Sequence, residues 1–499
     1  MAQDNFRKQI QSREILESVI RILWALVLLS LPVTSFRWFP GLGEGTLVRP
    51  LALYPLAILL PLLLIQARRK KIPPPFSGAF IALGAFVLFA AFSSSVGALL
   101  DPIPLRGQTY DGRAVRAFVT LFIGAAFFLA AVWMNQNETD LRFTVQWVFA
   151  GLCLDLAWSG LQAVTFYTGW LDKEMVTHWQ LAFSMRELVR TNRISGLAYE
   201  PAWLAGQLAT LFLPFLFASV LTKFRLTPWT WSESALLILS TLTLFATYSR
   251  GGLLITFGVA GLTLLLFGRD HLRRMWMWFI NGFRERNLAS FFLRLSIIAA
   301  FIAIAAGAFA FLGQKNYFRR LWEINAESLN EYIVDINAGA RGAYTAAAWE
   351  TFSAYPLTGV GLGGSGFYIY QNLPDWALTT VPEIAKQLNP SNRLYPNPKN
   401  LYARLLAETG LIGFFLFAAF QLYLLGDALF MVRRAEPWAR FAAIAGVFAW
   451  LSIALYNFTQ DSLTAPNIWL VPGIMAGLAA KSGQKNLETL HSENNKEIS

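Results

Sequence analysis

Between Gly313 and Asn400 the chain places seven Lys/Arg, several carboxylates, a glycine-dense turn (GVGLGGSG, 359–366) and a proline-rich exit (NPSNRLYPNPKN, 389–400). Three shorter polar stretches interrupt otherwise apolar sequence: RISGLAYEP at 193–201, YSRGG at 248–252 and NPKNLYARLLAETGLIG at 397–413. Further cations stand at Arg37, Arg49, Arg106, Arg113, Arg116, Lys173, Arg186, Arg190, Arg193 and Arg250. Arginine offers a planar fork of donors matched to phosphate oxygens, and its charge does not titrate away. The chemistry on offer is therefore the grip of an anionic ligand. Metal and triad chemistry find no footing: His178, His271 and His491 are isolated, and no Asp-x-Asp pair opens a loop.

The elements that must position these groups are membrane helices. Hydrophobic residues make up 55% of the 499 and charged residues 14%, against about a quarter charged in soluble domains. Apolar runs of about 17–25 residues, enough to span a bilayer, recur near 15–35, 48–66, 76–100, 114–134, 143–166, 201–222, 233–248, 252–268, 292–313, 401–424, 441–458 and 463–480. They are continuously apolar rather than alternating, which excludes strands as the spanning element. The expectation is an all-α polytopic membrane protein with about twelve transmembrane helices and one large extracytoplasmic loop containing short helices. Residues 1–313 carry nine spans, 314–399 form the loop, 400–480 carry three more, and 481–499 make a polar, disordered cytoplasmic tail.

Arg7, Lys8 and Arg13 precede a first span too long for a signal core, so that span is expected to remain as an anchor. The net charge of +11 gathers in short loops, at ARRKK (67–71), Arg269, Arg273, Arg274, Arg284, Arg286, Arg433, Arg434 and Arg440. All fall on one side when the N-terminus is cytoplasmic, as the positive-inside rule requires. Both termini are then cytoplasmic and the polar stretches lie outside. The same distribution argues against a nucleic-acid partner. Cys153 is the one cysteine, so no internal disulfide is available.

Each motif also has a plain structural reading. Arg250 would end a helix running outward, where a cation complements the carboxyl-terminal dipole, with Gly251 and Gly252 as the stop. Glu200–Pro201 reads as a helix start and Asn400 as the N-cap of the next span. GLGGSG (361–366) has no flanking strand and helix, so it is a flexible turn and not a dinucleotide site. AGARGAYTAAAWETF (338–352) is a short helix over the membrane surface, with Arg341, Tyr344, Thr345 and Ala348 on one side.

Four motifs in order carry a resemblance. They are R-x-S-G-x-x-x-E-P (193–201, with Gly196 and Pro201), S-R-G-G (249–252, with Gly251), Arg341 ahead of Y-P-L-T-G-V-G (355–361, ending on Gly361), and N-L-Y-x-x-L-L-A-E-T-G-L-I-G (400–413, with Asn400 and Glu408). Together they resemble the O-antigen ligase and O-antigen polymerase superfamily of bacterial membrane proteins. The resemblance implies a glycosyltransferase at the outer leaflet of the inner membrane, independent of metals and with no cofactor. Its donor would be a glycan on a polyprenyl diphosphate, typically undecaprenyl. It assigns Arg193 and Arg250 to the diphosphate, with Arg341 joining them.

Many members, notably the ligases that load lipid A-core, carry a histidine immediately before the asparagine of the late span, where this chain has Lys399. A neutral imidazole accepts a hydroxyl proton and an ammonium cannot. Lys399 is accordingly a candidate diphosphate ligand, and polymerase ranks before ligase. Glu200, seven residues from Arg193, is the candidate acid–base group, with Glu350 and Glu383 in reserve. A lipid flippase or transporter ranks third, because no six-span repeat is visible and the polar residues gather at one face. Expected partners are the lipid-linked glycan, the bilayer, and chain-length regulator or flippase proteins.

Overall fold

The computed structural model describes residues 2–38, 47–69, 77–188, 191–284, 287–314, 319, 326–336, 338–389, 391–392 and 394–497. Of the cations counted above, Lys70, Lys71, Arg190, Arg286, Lys315, Arg320 and Arg393 lie outside those residues. Helices carry the architecture, and no β-strand occurs among the described residues. In chain order they are α1 (Ala2–Ser30), α2 (Leu53–Arg69), α3 (Gly78–Ala98), α4 (Tyr110–Met134), α5 (Glu138–Thr168), α6 (Lys173–Phe183), α7 (Pro201–Thr222), α8 (Ser232–Ala246), α9 (Arg250–Phe267), α10 (Arg269–Arg284) and α11 (Leu288–Gly313). Five short helices follow: α12 (Leu329–Asp335), α13 (Gly339–Ala354), α14 (Gly366–Ile369), α15 (Asp375–Thr380) and α16 (Pro382–Leu388). The chain closes with α17 (Leu401–Val432), α18 (Pro437–Tyr456) and α19 (Asn467–Glu497).

Eight of these helices, α3, α4, α5, α7, α9, α11, α17 and α18, are long and apolar enough to cross a membrane. A helix satisfies its backbone within the segment, which is what a lipid environment demands of such sequence. The other four expected spans fall on α1, α2, α8 and α19, which are either short (17 residues in α2, 15 in α8) or run on into polar sequence. α19 continues as helix through most of the tail expected to be disordered.

In the bundle, α17 packs along α3 and α18, α18 along α7 and α9, α19 along α4, and α1 along α2 and α5. Edge-on aromatic pairs such as Phe86–Phe417 and Phe128–Phe420 knit these helices together. Two irregularities matter for function. Leu208–Phe212 in α7 is a π-helical turn just ahead of Pro214, whose ring nitrogen has no hydrogen to give the preceding turn. Asn467 secures it by donating to the Thr210 hydroxyl at 2.8 Å.

The second irregularity is a break in α17 at Gly410, where φ is 60°. The segment Pro356–Gly361 docks into this break through backbone bonds. Val360 N–H donates to Ala407 O (3.0 Å), Gly361 N–H to Glu408 O (2.8 Å) and Leu411 N–H to Pro356 O (2.8 Å). Residues 359–367 are all buried. The glycine turn expected to be flexible is therefore a built part of the core.

Candidate functional site

The start of α7, the turn between α8 and α9, the start of α17 and the end of α18 meet at one end of the bundle, beneath α12 and α13. α5 builds the first wall. The Gln162 carboxamide oxygen accepts both the Ser195 and Gly196 N–H groups at 3.0 Å, its nitrogen donates to Gly196 O (3.1 Å), and Asp155 Oδ1 accepts the Leu197 N–H at 2.7 Å. Gly196 has φ +56°, and a methyl group there would overlap the Asp155 carboxylate, which explains the glycine. The cradle aims the two ends of the segment.

At one end, Ile194 N–H donates to Ala246 O (3.1 Å) and the Arg193 Nε–H donates to Thr247 O (2.8 Å). Arg193 is thereby held three residues before Arg250 in the α8–α9 turn. At the other end, Glu200 is the extended N-cap residue of α7, and its carbonyl accepts the Trp203 and Leu204 N–H groups. Pro201 opens the helix, where its missing N–H costs nothing. The Glu200 carboxylate meets the Arg186 guanidinium at 3.1 Å, and Arg186 also lies over the Tyr199 ring.

The α8–α9 turn overturns one expectation. Tyr248 takes φ +48°, Ser249 caps α9 by accepting the Gly252 N–H at 3.3 Å, and Arg250 is the first residue of α9 rather than the last of α8. A cation at a helix amino end opposes the dipole instead of complementing it. That placement suits a site completed by an anion. Arg250 also donates through Nη2 to Ile336 O at the end of α12, which ties the long loop to the turn. Gly251 faces open space. The steric demand falls on Gly252, where a methyl group would overlap Ala205 of α7.

Arg341 is exposed on α13, which covers the start of α17: the Thr345 hydroxyl reaches Pro398 O at 3.5 Å. The Tyr456 hydroxyl, at the end of α18, lies within electrostatic reach of both the Glu200 carboxylate and the Arg341 guanidinium. It packs on Gly206, where a methyl group would overlap its ring. Sequence reasoning missed Tyr456, because a tyrosine ending an apolar run resembles any interfacial aromatic.

Lys399 is brought near α13 but engaged there: its ammonium meets the Glu383 carboxylate at 2.6 Å and lies over the Tyr344 ring. Its N–H donates to Asp461 Oδ2 at 2.9 Å, from a backbone with φ +54°. Burial moves the Asp461 carboxyl upward from its ordinary value, opposed by the neighbouring Arg404 guanidinium. Lys399 and Glu383, expected as diphosphate ligand and reserve base, therefore latch the loop to the bundle. Glu350 is exposed on α13.

Asn400 caps α17 as expected, accepting the Tyr402 and Ala403 N–H groups at 3.0 and 3.2 Å. Glu408 lies below it, buried, with Arg404 Nε at 3.0 Å and the Ser365 hydroxyl donating at 2.8 Å. Gly361 (φ +86°) sits against the Tyr110 hydroxyl, which donates to Val360 O at 3.0 Å. Glu408 and Gly361 are foundations for the site. Several other cations have similar employment: Arg37 donates to Leu181 O (3.0 Å) and Arg106 to Leu394 O (2.6 Å) and Gln387 O, while Arg113 stacks on Tyr395.

A carboxylate fixed at a helix start in this way has the chemistry of a proton acceptor. Glu200→Gln preserves the acceptor geometry toward Arg186 and is expected to slow turnover about 10²–10⁴-fold while leaving donor affinity unchanged. Steady-state kinetics with a lipid-linked donor measures both, and wild-type turnover in the variant removes the role.

Residues 235–418 match a family model described as O-antigen ligase. The match takes in Arg250, Arg341, Gly361, Asn400 and Glu408, whereas Arg193 to Pro201 precede it. No curated protein matches the chain.

Proposed function

We propose that this chain polymerises oligosaccharide repeat units carried on undecaprenyl diphosphate, at the outer leaflet of the bacterial inner membrane; the match of residues 235–418 to an O-antigen ligase family model supports a reading of this class. Arg193 and Arg250, with Arg341 from the loop, hold the donor diphosphate. A hydroxyl at the non-reducing end of the acceptor glycan attacks the donor's anomeric carbon as Glu200 takes its proton. The bond from that carbon to the diphosphate oxygen breaks, and the carrier diphosphate leaves into the bilayer. Fixed cationic donors neutralise the charge developing on the departing group.

The observation that carries this reading is the bonding of Arg193 and Ile194 to Thr247 and Ala246, which brings two remote arginine motifs to one turn beneath the loop helix bearing Arg341. Cytoplasmic termini and an outward-facing site are supported by Arg68 and Arg69 ending α2 and by the arginines of α10, which follow helices running away from the site. Polymerase is favoured over ligase because Lys399 replaces the imidazole and is already engaged by Glu383. Deleting the gene and sizing surface polysaccharide tests the reading. Single repeat units accumulating on the carrier support it. Finished polymer stranded on the carrier means ligase, and neither species at the outer leaflet means flippase.

A further inference from the structure

α10 is too polar to span and too apolar on one side to lie in water. Leu272, Met275, Trp276, Phe279, Ile280 and Phe283 recur at helical spacing along one face, Arg273, Arg274, Asn281 and Arg284 lie on another, and Arg269 opens the helix. Trp276 is 63% exposed, and the four arginines are exposed as well. None of the four forms an ion pair with a carboxylate among the described residues, and the helix itself contributes only Asp270.

The elbow to α11 holds a fifth guanidinium. Arg294 is 5% exposed, lies 4.2 Å over the Trp278 ring, and reaches Ser290 O and Trp278 O at 3.3 and 3.4 Å, while its Nε has no hydrogen-bond partner. A side chain at Gly282 would overlap that guanidinium, so the glycine makes its room. Edge-on contacts from Phe279 to Phe283 and from Phe283 to Phe291 close the elbow. α11 is apolar enough to cross a membrane and is almost entirely unburied by the rest of the protein over Leu288–Gly307. α9 starts at the site and ends at Gly268, so this hairpin begins at the opposite end of the bundle.

We propose that α10 lies flat in the headgroup layer of the leaflet opposite the glycosyl-transfer site and binds acidic phospholipid headgroups through Arg269, Arg273, Arg274 and Arg284, with Arg294 locking the elbow. Its apolar face enters the acyl boundary while the guanidiniums meet phosphate oxygens. Charge complementarity selects anionic over zwitterionic lipid, because four exposed arginines accompany one carboxylate, Asp270, on this helix.

Native mass spectrometry tests this on delipidated full-length protein titrated with dioleoylphosphatidylglycerol or dioleoylphosphatidylcholine. Wild type is expected to retain the anionic lipid preferentially. Arg273→Gln/Arg274→Gln/Arg284→Gln is expected to weaken that binding about 100-fold, at roughly fivefold per surface charge, with phosphatidylcholine binding unchanged. Raising salt to about 0.5 M is expected to erase the wild-type preference, a check that needs no variant. Equal retention of both lipids by wild type, or an undiminished preference in the triple variant, overturns the proposal. No glycan is present, so the outcome stands apart from the transfer activity.

Discussion

Arg250→Ala and Arg193→Ala are each expected to slow glycosyl transfer by about 10²–10³-fold, the loss typical of removing one fixed donor to a developing negative charge. Stability should move far less. Among their contacts, Arg193 gives up a bond to Thr247 O and Arg250 a bond to Ile336 O, and a single such bond is worth roughly 0.5–1.5 kcal/mol. The rate loss corresponds to about 2.7–4 kcal/mol, so the catalytic effect dominates. Lysine should rescue only in part, because a point charge replaces a two-pronged donor. On the proposed reading that both groups act on one diphosphate, the double alanine variant should lose less than the product of the single losses. Turnover and thermal midpoint measured on the same preparations separate the two effects. An Arg250→Ala protein that makes full-length polymer at the normal rate removes Arg250 from the site.

Glu408→Ala should have the largest effect on stability, about 3–5 kcal/mol, as expected when one partner of a buried ion pair is removed. The side chains of Arg404 and Glu408 are 12% and 2% exposed and meet at 3.0 Å. Ser365 donates to the carboxylate, and Arg404 also donates to Asp461 O at 2.7 Å. The loss would strand a guanidinium beneath the docked 356–361 segment and loosen both the α17 break and the loop above it. Replacing both partners with apolar residues, Arg404→Met/Glu408→Leu, should recover part of the loss and not all, because Ser365 and Asp461 O lose their partners. Thermal unfolding in detergent ranks the three proteins. Equal midpoints for wild type and Glu408→Ala would show that the pair does not anchor the loop.

Much of the scaffold was legible from local chemistry. Asn400 as a cap, Pro201 as a helix start and the helix over 338–352 rest on short-range rules, and all appear as α17, α7 and α13. The plain structural reading of Arg250 as a helix end fails because two apolar runs flank a three-residue turn and periodicity cannot say which run owns the arginine. Ser249, a good capping residue three before Gly252 N–H, was the usable signal. Arg404 four residues before Glu408 was readable as a pair, but its burial depended on the distant Ser365. The docking of Pro356–Gly361 into the Gly410 break was not readable, since glycine marks conformational freedom without naming the surface it meets. Tyr456 became meaningful only when three separate helix ends met around it.

The most direct measurement incubates purified protein with undecaprenyl-diphosphate-linked repeat units as the only glycan, in the presence of EDTA, and resolves products by length. A ladder of longer glycans still attached to the carrier, absent with Arg193→Ala or Arg250→Ala, is the predicted result. Repeat units left unextended by folded wild-type protein, or a ladder made equally well by the arginine variants, would contradict the account.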